Sequence, residues 1–323
     1  MMPIDFATLI GTHFDVRLTP PDLRPWYDGN TGVPGFTTRT APLPGPHVAL
    51  LALLHGNEIA GAVALDRLLR GGLQPVRGRL TFGFVNLAAF ARFSAKQPTL
   101  SRFVDEDMNR VWDPVVLDGP QRSSEVARAR QIRPLIDTVD VLLDLHSMLW
   151  ASDPLMLCGG TDKGLRLARN IGVPDLVVAD HGHAGGRRLI DYPRFSDPGT
   201  PFAANLVEAG LHWEPETVGT ALATIAGLLR HLDMVREPTA LLPPPPRQSH
   251  QRVARVTETV TATTGKFSFV QPWRGGDIVS RRNTLIALDG GTEIRTPHDD
   301  CLLVMPSLRP SRGHTAVRLA RFL

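Results

Sequence analysis

An α/β fold is predicted for this 323-residue chain: a mixed, mostly parallel sheet with helices on both faces, followed by a small all-β domain. Three features predict it. Short unbroken apolar runs alternate with amphipathic segments as far as residue 232, the pattern of doubly buried strands joined by crossover helices. Three of those runs end in ionisable residues: His55 with Glu58, His146, and Glu208. Beyond Pro243-Pro-Pro-Pro246 the texture changes to Val- and Thr-rich runs of period two.

The elements follow in order. Residues 1–45 are rich in Pro and Gly and read as loops plus an edge strand or helix, with His13 a surface residue. Val48–Leu54 is the first strand. Gly56-Asn57 turns the chain into a helix over Glu58–Arg70, whose apolar residues Ile59, Val63, Leu65, Leu68 and Leu69 can pack one face on a sheet. Gly71-Gly72 stops it. Arg79–Asn86 alternates as a second strand. Residues 87–122 are long and weakly periodic, and a loop of that length in a compact domain is functional or disordered. Aromatic residues beside Asn109-Arg110 favour function. Ser123–Val139 reads as helix with a serine cap and Glu125 at the positive end of its dipole, and Pro134 should kink or divide it. Strands follow at Val141–Leu145, Pro154–Cys158, Leu176–Ala179 and Ala204–Val207, with helices at Lys163–Ile171 and Pro215–Leu232. The proline run is a stiff spacer. Short β-like runs then occupy Val253–Ala262, Phe267–Val270, Asp277–Val279, Leu285–Leu288, Cys301–Met305 and Ala316–Phe322. The expected division is a catalytic domain over 1–240, a linker over 241–252 and a β-rich domain over 253–323 near the active site.

Composition narrows the function classes. The net charge is +3, yet Lys96, Lys163 and Lys266 are the only lysines and all other counted basic residues are arginine. The arginines are dispersed, without a basic run or a stacking aromatic platform, so codon bias explains them better than a nucleic-acid partner. Two cysteines, Cys158 and Cys301, make no disulfide framework and fit a reducing compartment. The N-terminus does not read as a signal peptide, and no run approaches the ~18 apolar residues of a membrane span. A cytoplasmic protein without membrane or nucleic-acid partners is expected, with a homo-oligomer left open.

The chemistry lies at the strand ends. A βα alternation brings such ends to one edge of a parallel sheet, where open α/β folds keep their ligands. Imidazole and carboxylate both bind zinc, and a catalytic zinc takes three protein ligands and leaves a position open. A lone His at a strand end is ordinarily a hydrogen-bonded structural residue, and a lone Glu at a helix start ordinarily complements the dipole. Joint occurrence is what raises His55, Glu58 and His146 to a ligand set, with Glu208 as the carboxylate that handles a proton.

His55-Gly-Asn-Glu58, Asp107-Met-Asn-Arg110, Asp144-Leu-His146-Ser and Val207-Glu208-Ala-Gly210, in this order, resemble the succinylglutamate desuccinylase/aspartoacylase family of the zinc-carboxypeptidase superfamily. The resemblance spans most of residues 47–232, and the β module after a proline spacer is similar too. It implies a zinc-dependent amidohydrolase that removes an acyl group from a small N-acyl amino acid, with one Zn2+ per chain held by His55, Glu58 and His146. It further implies that Glu208 activates water and later protonates the leaving amine, that Arg102 polarises the scissile carbonyl, and that Asn109 and Arg110 grip a substrate carboxylate. Asp107 and Asp144 become candidates for orienting an arginine or a histidine. The chain departs from the family around the amino-acid pocket: Arg187, Arg188 and Arg194 precede Glu208 at different spacing, and no tyrosine follows Tyr192. Arg194 and Tyr192 are the expected contacts there. A carboxypeptidase-like enzyme acting on short peptides and a non-catalytic binding member are the alternatives.

Other residues are discounted. His181-Gly-His183 reads as a mobile pocket rim, Cys158 as a buried strand residue, and His212, His231, His298 and His314 as structural or surface residues. Asp289-Gly-Gly-Thr292 reads as a β-turn.

Overall fold

A computed structural model describes residues 14–182, 185–246 and 251–323. His13, His183 and part of the expected linker lie outside the described residues.

The first unit consists of strand β1 (Phe36–Thr40), strand β2 (Leu43–Ala52), helix α1 (Ile59–Arg70) and strand β3 (Arg77–Phe84). β2 and β3 pair in parallel and β1 lies antiparallel on the far side of β3. The 87–122 segment is ordered through short pieces: α2 (Leu87–Phe90), a 3-10 turn at Met108–Arg110 and α3 (Pro114–Asp118). Helix α4 (Ser124–Ile136) follows, with the Ser123 hydroxyl accepting from the Val126 N–H. Pro134 does not divide it: the proline falls in the last turn, so the helix ends two residues later instead of breaking.

Next come β4 (Val141–Met148), β5 (Leu155–Leu157), α5 (Asp162–Ile171), β6 (Leu176–Ala179), α6 (Pro193–Ser196), β7 (Ala203–Leu211) and α7 (Pro215–His231). β4 lies parallel between β2 and β7, whereas β5 runs antiparallel to β7 and parallel to β6. Both faces of the sheet are covered. Val48, Leu50 and Ala52 of β2 pack with Leu65 and Leu68 of α1 and with Ile225 and Leu228 of α7. Ala49 and Leu51, one residue out of phase, pack with Val126, Ala129 and Ile132 of α4 on the other face. That is why the β2 run is apolar without alternation.

The C-terminal strands are β8 (Arg252–Thr261), β9 (Phe267–Phe269), β10 (Ile278–Val279), β11 (Leu285–Asp289), β12 (Thr292–Arg295), β13 (Cys301–Val304) and β14 (Thr315–Phe322). They have their own apolar cluster around Phe269, Ile286, Leu303 and Leu319. The sheet nevertheless does not stop at the prolines. β8 pairs in parallel with β6, and β14, β13 and β10 extend the same sheet to eleven strands, while β12, β11 and β9 form a second, three-stranded sheet. Gly290-Gly291 closes the β11–β12 hairpin between the paired Asp289 and Thr292, as the turn reading anticipated. Beyond β8 every pairing between the C-terminal strands is antiparallel.

Candidate metal centre

β2 ends one turn before His55. Leu53 takes a left-handed φ of 65°, a conformation uncommon outside glycine and asparagine and frequent at functional sites, and it swings the chain out of the sheet. Gly56 then lies flat against a neighbouring segment: its N–H donates to the Arg102 carbonyl at 3.1 Å. A Cβ there would fall on the Ala89–Phe90 peptide and the Ser101 carbonyl. Glycine at 56 thus lets the Arg102 loop pack beside His55.

Glu58 stands at the N-cap of α1, but its side chain makes no cap hydrogen bond. Its oxygens serve the site instead. His55 Nδ1 lies 2.7 Å from Glu58 Oε1, and His146 Nδ1 lies 2.9 Å from Glu58 Oε2. The Ser147 N–H donates to Oε2 at 3.0 Å and Arg102 donates to Oε1 at 3.1 Å. Each imidazole is held from its far side: His55 Nε2 is 2.8 Å from Asp107 Oδ1, and His146 Nε2 is 2.9 Å from Asp144 Oδ2. Asp144 and His146 are two apart in β4 and so face the same side of the sheet. Both histidines therefore turn Nδ1 to one carboxylate and give Nε2 to an aspartate.

Glu208 is not at the end of its strand, as the sequence suggests, but inside β7, directly across from His146 in the parallel pairing. Its Oε2 is buried without a hydrogen-bond partner. Burial, reinforced by the charge of Glu58, pushes its carboxyl up to about 8. Burial also opposes charge on Glu58, yet the two imidazoles outweigh it and hold that carboxyl well below the usual range. His146 is pulled down by burial and carried well above the usual imidazole range by Asp144 and Glu58. Neighbouring carboxyls are thus driven apart, as acid–base sites require.

The residues fit a divalent ion. One ligand atom each from His55, Glu58 and His146 lies within 4.8 Å of the others, and all three residues are buried. Two nitrogens and one oxygen are a zinc donor set, and aspartates on the distal ring nitrogens are the usual support for metal-binding histidines. The unpartnered Glu208 Oε2 and Asp144 Oδ1 add buried negative character that a cation would offset.

A family model described as the succinylglutamate desuccinylase/aspartoacylase catalytic domain matches residues 44–231, more than half of the chain. The chain belongs to this family. Aspartoacylase of Xenopus tropicalis is 30% identical over 121 residues, which are 35% of this chain and 37% of that protein. The match thus spans little more than a third of that relative's length. The crystal structure of succinylglutamate desuccinylase from Vibrio cholerae aligns with TM-score 0.68 at 17% identity, covering 89% of this chain and 85% of that one. That of a succinylglutamate desuccinylase/aspartoacylase from Rhodobacter sphaeroides aligns with TM-score 0.64 at 18% identity, covering 89% and 88%. These structures share the fold.

In this family member the Arg102–Arg110 segment is built by a buried acid. Glu125 was legible as a dipole-complementing residue of α4, but its carboxylate accepts from the N–H groups of Val104, Asp105 and Glu106 and from the Asn86 amide, at 2.7 to 3.2 Å. Arg102 consequently reaches the centre, donating to Asp107 Oδ2 at 3.3 Å as well as to Glu58. Asn109 is buried and its Oδ1 accepts from the Leu189 N–H at 2.9 Å. Arg110 donates to the Asn109 carbonyl at 2.6 Å and lies 3.8 Å from Asp107.

Arg194 and Tyr192 do not join them. Arg194 donates to the Val139 carbonyl at 2.5 Å, pairs with Asp140 at 3.6 Å and stacks over Phe202. The Tyr192 hydroxyl donates to Asp137 at 2.8 Å and accepts from Arg133. The hydrogen-bond partners precede β4 and Phe202 precedes β7, roughly 20 Å along the strands from His146 and Glu208 at ~3.3 Å per residue. Both expectations are corrected: the two side chains tie α4 and α6 to the opposite edge of the sheet.

Two residues that the sequence left open take structural places. His212, set aside as structural or surface, is buried with Nδ1 2.8 Å from the Ser147 hydroxyl, and burial lowers it to about 4. Arg188 is buried in a double ion pair with Asp180 and Asp191. Neither sits in a recognisable motif, because the partners are distant in sequence or lie in a loop. His181, read with His183 as a pocket rim, is exposed, and His183 lies outside the described residues.

Proposed function

We propose that the protein is a zinc-dependent amidohydrolase, one ion per chain, that removes the acyl group from a small N-acyl amino acid. The observation that carries this reading is the pair of imidazoles turned by Asp107 and Asp144 so that both Nδ1 atoms meet Glu58, with Glu208 across the strand pairing. A zinc ion bound by His55, Glu58 and His146 would supply a Lewis acid for the scissile carbonyl and its attacking water.

The chain's own groups do the rest. Glu208 takes a proton from water and returns it to the departing nitrogen, a task suited to a carboxyl raised to about 8. A cation bound nearby would favour the carboxylate form and lower that value. Arg102, donor to Glu58 and Asp107, offers a fixed positive charge to the oxyanion. Arg110, braced on Asn109, offers a guanidinium fork to a substrate carboxylate.

Two substitutions test the assignment together. Glu208→Gln should retain zinc by metal analysis and lose turnover of N-succinyl-, N-acetyl- and N-formyl-amino acids by roughly two to four orders of magnitude. His146→Ala should lose both zinc and turnover. An active Glu208→Gln enzyme places the base elsewhere, and stoichiometric zinc in His146→Ala removes the ligand set. Dipeptides in the same panel separate the peptidase alternative.

A further inference from the structure

β7 does not stop at Glu208, and the residues after it reach both segments that carry the metal ligands. The register between β4 and β7 slips just past the site: His146 opposes Glu208, but Met148 opposes Leu211. The extra residue on β7 makes a bulge, which reverses the phase of the side chains that follow. Gly210 takes a φ of 139° there, and a Cβ on it would lie 2.7 Å from the Thr217 hydroxyl. That hydroxyl donates to the Leu211 carbonyl at 2.6 Å, so the first turn of α7 fixes the bulged strand.

His212 and Trp213 come next, and both are buried. Each side chain meets a different ligand segment. His212 Nδ1 lies 2.8 Å from the hydroxyl of Ser147, the neighbour of His146, and the His212 N–H donates to the Met148 carbonyl at 2.9 Å. Ser147 in turn donates its own N–H to Glu58 Oε2 at 3.0 Å. The Trp213 indole N–H donates at 3.0 Å to the carbonyl of Asn57, which stands between His55 and Glu58. Ser147 and Asn57 are buried as well, so both contacts are shielded from water. Trp213 is braced from behind: its ring meets that of Phe14 with centroids 5.6 Å apart, and its carbonyl accepts from the Arg17 N–H at 3.2 Å. One dipeptide thus spans from the turn carrying His55 and Glu58 to the strand carrying His146. It acts through the backbone that bears the ligands, and such outer support governs how tightly a metal is held.

We propose, building on the zinc-ligand assignment of the amidohydrolase reading, that His212 and Trp213 are positioning residues. Acting as one strut, they hold the two ligand-bearing segments in the relation that a bound ion requires, and so set the affinity of the chain for its metal.

The test is zinc titration of metal-stripped, full-length protein against a chromophoric chelator, with thermal melts of the metal-free proteins alongside. Trp213→Phe keeps the ring and removes the donor, and His212→Leu removes the partner of Ser147. Each should weaken zinc binding roughly 10-fold while the metal-free protein keeps a cooperative melt. His212→Asn should recover most of the wild-type affinity, because its amide can take the place of Nδ1 toward the Ser147 hydroxyl. Ser147→Ala should match His212→Leu, and the double variant should bind zinc no more weakly than either. Lower melting temperatures with wild-type zinc affinity would mean that the dipeptide only stabilises the fold, and would overturn the proposal. If His212→Leu fails to fold, Trp213→Phe and Ser147→Ala decide the same comparison. Weakened zinc binding in these variants of a protein that hydrolyses no N-acyl amino acid would refute the amidohydrolase reading alone. Turnover by wild type, with unchanged zinc affinity in Trp213→Phe and Ser147→Ala, would refute the strut alone. A wild type that binds no zinc overturns both.

Discussion

Glu208 and Glu58 are both fully enclosed, yet one is driven up and the other down, and the difference lies in what each oxygen touches. Glu58 meets two imidazoles, a guanidinium and a backbone N–H, whereas Glu208 Oε2 meets nothing. The consequence for stability has a definite sign. A carboxyl raised from 4.5 to about 8 keeps its proton in the folded protein where the unfolded chain has lost it. Its contribution is full below pH 4.5 and is lost as pH rises through about 8. Metal-free wild type should therefore lose denaturant midpoint between pH 5 and pH 8.5 relative to Glu208→Gln, which lacks the titrating group. Parallel pH profiles for the two proteins would place the raised carboxyl elsewhere.

At the scale of elements, what the sequence disclosed was local. The β2 run, the α1 face and the Gly56-Asn57 turn are legible because burial on both faces and helical spacing write themselves into neighbouring residues. Their ends were less legible, and β7 runs to Leu211, past Glu208, because pairing with β4 continues beyond its apolar stretch. The 87–122 segment carried little signal because its order comes from a single distant acid. Glu125 satisfies three successive N–H groups, and Asp105 in return accepts from the Ser124 N–H at the start of α4. Replacing Glu125 by Ala removes the acceptor of three part-buried donors and of the buried Asn86 amide, at up to about 1–3 kcal/mol each. The expected result is a loss of several kcal/mol in chemical denaturation. Arg102 would be released as well, so kcat should fall more than ground-state binding. A variant with unchanged stability would show that another group orders the loop. Arg194 and Tyr192 were misplaced for the opposite reason: proximity to Glu208 in sequence says nothing about which edge of the sheet a loop returns to.

For the whole molecule, the proline run suggested two bodies; strand pairing carries the large sheet across it, and the C-terminal strands keep a second sheet and an apolar cluster of their own. Arg252–Arg255 pair with Leu176–Ala179, and Ala254, Leu302, Val304 and Ala320 share a core with Val126 and Trp112 of the first unit. A chain ending at residue 246 would expose the β6 edge and that apolar face, and it should aggregate or lose its cooperative melt by circular dichroism. A soluble, cooperatively melting truncation would show that the first unit stands alone. The arginine excess also has an internal use: Arg128 donates to the Val85 and Pro34 carbonyls, and Arg130 to those of Leu117 and Gly119. No helix among the described residues is long and apolar enough to cross a membrane. The fold and the clustering of His55, Glu58 and His146 could be anticipated from four ordered motifs; the pairing of β8 with β6 could not, because the proline run interrupts the pattern that would announce it.

The central claim is metal-dependent amide hydrolysis at His55, Glu58 and His146, and it is tested most directly by zinc titration of stripped protein against N-acyl amino acids. Amine release should be negligible without metal, rise in proportion to added zinc and level off near one equivalent per chain. Release that survives stripping, or none from any member of the panel at any zinc level, would contradict it.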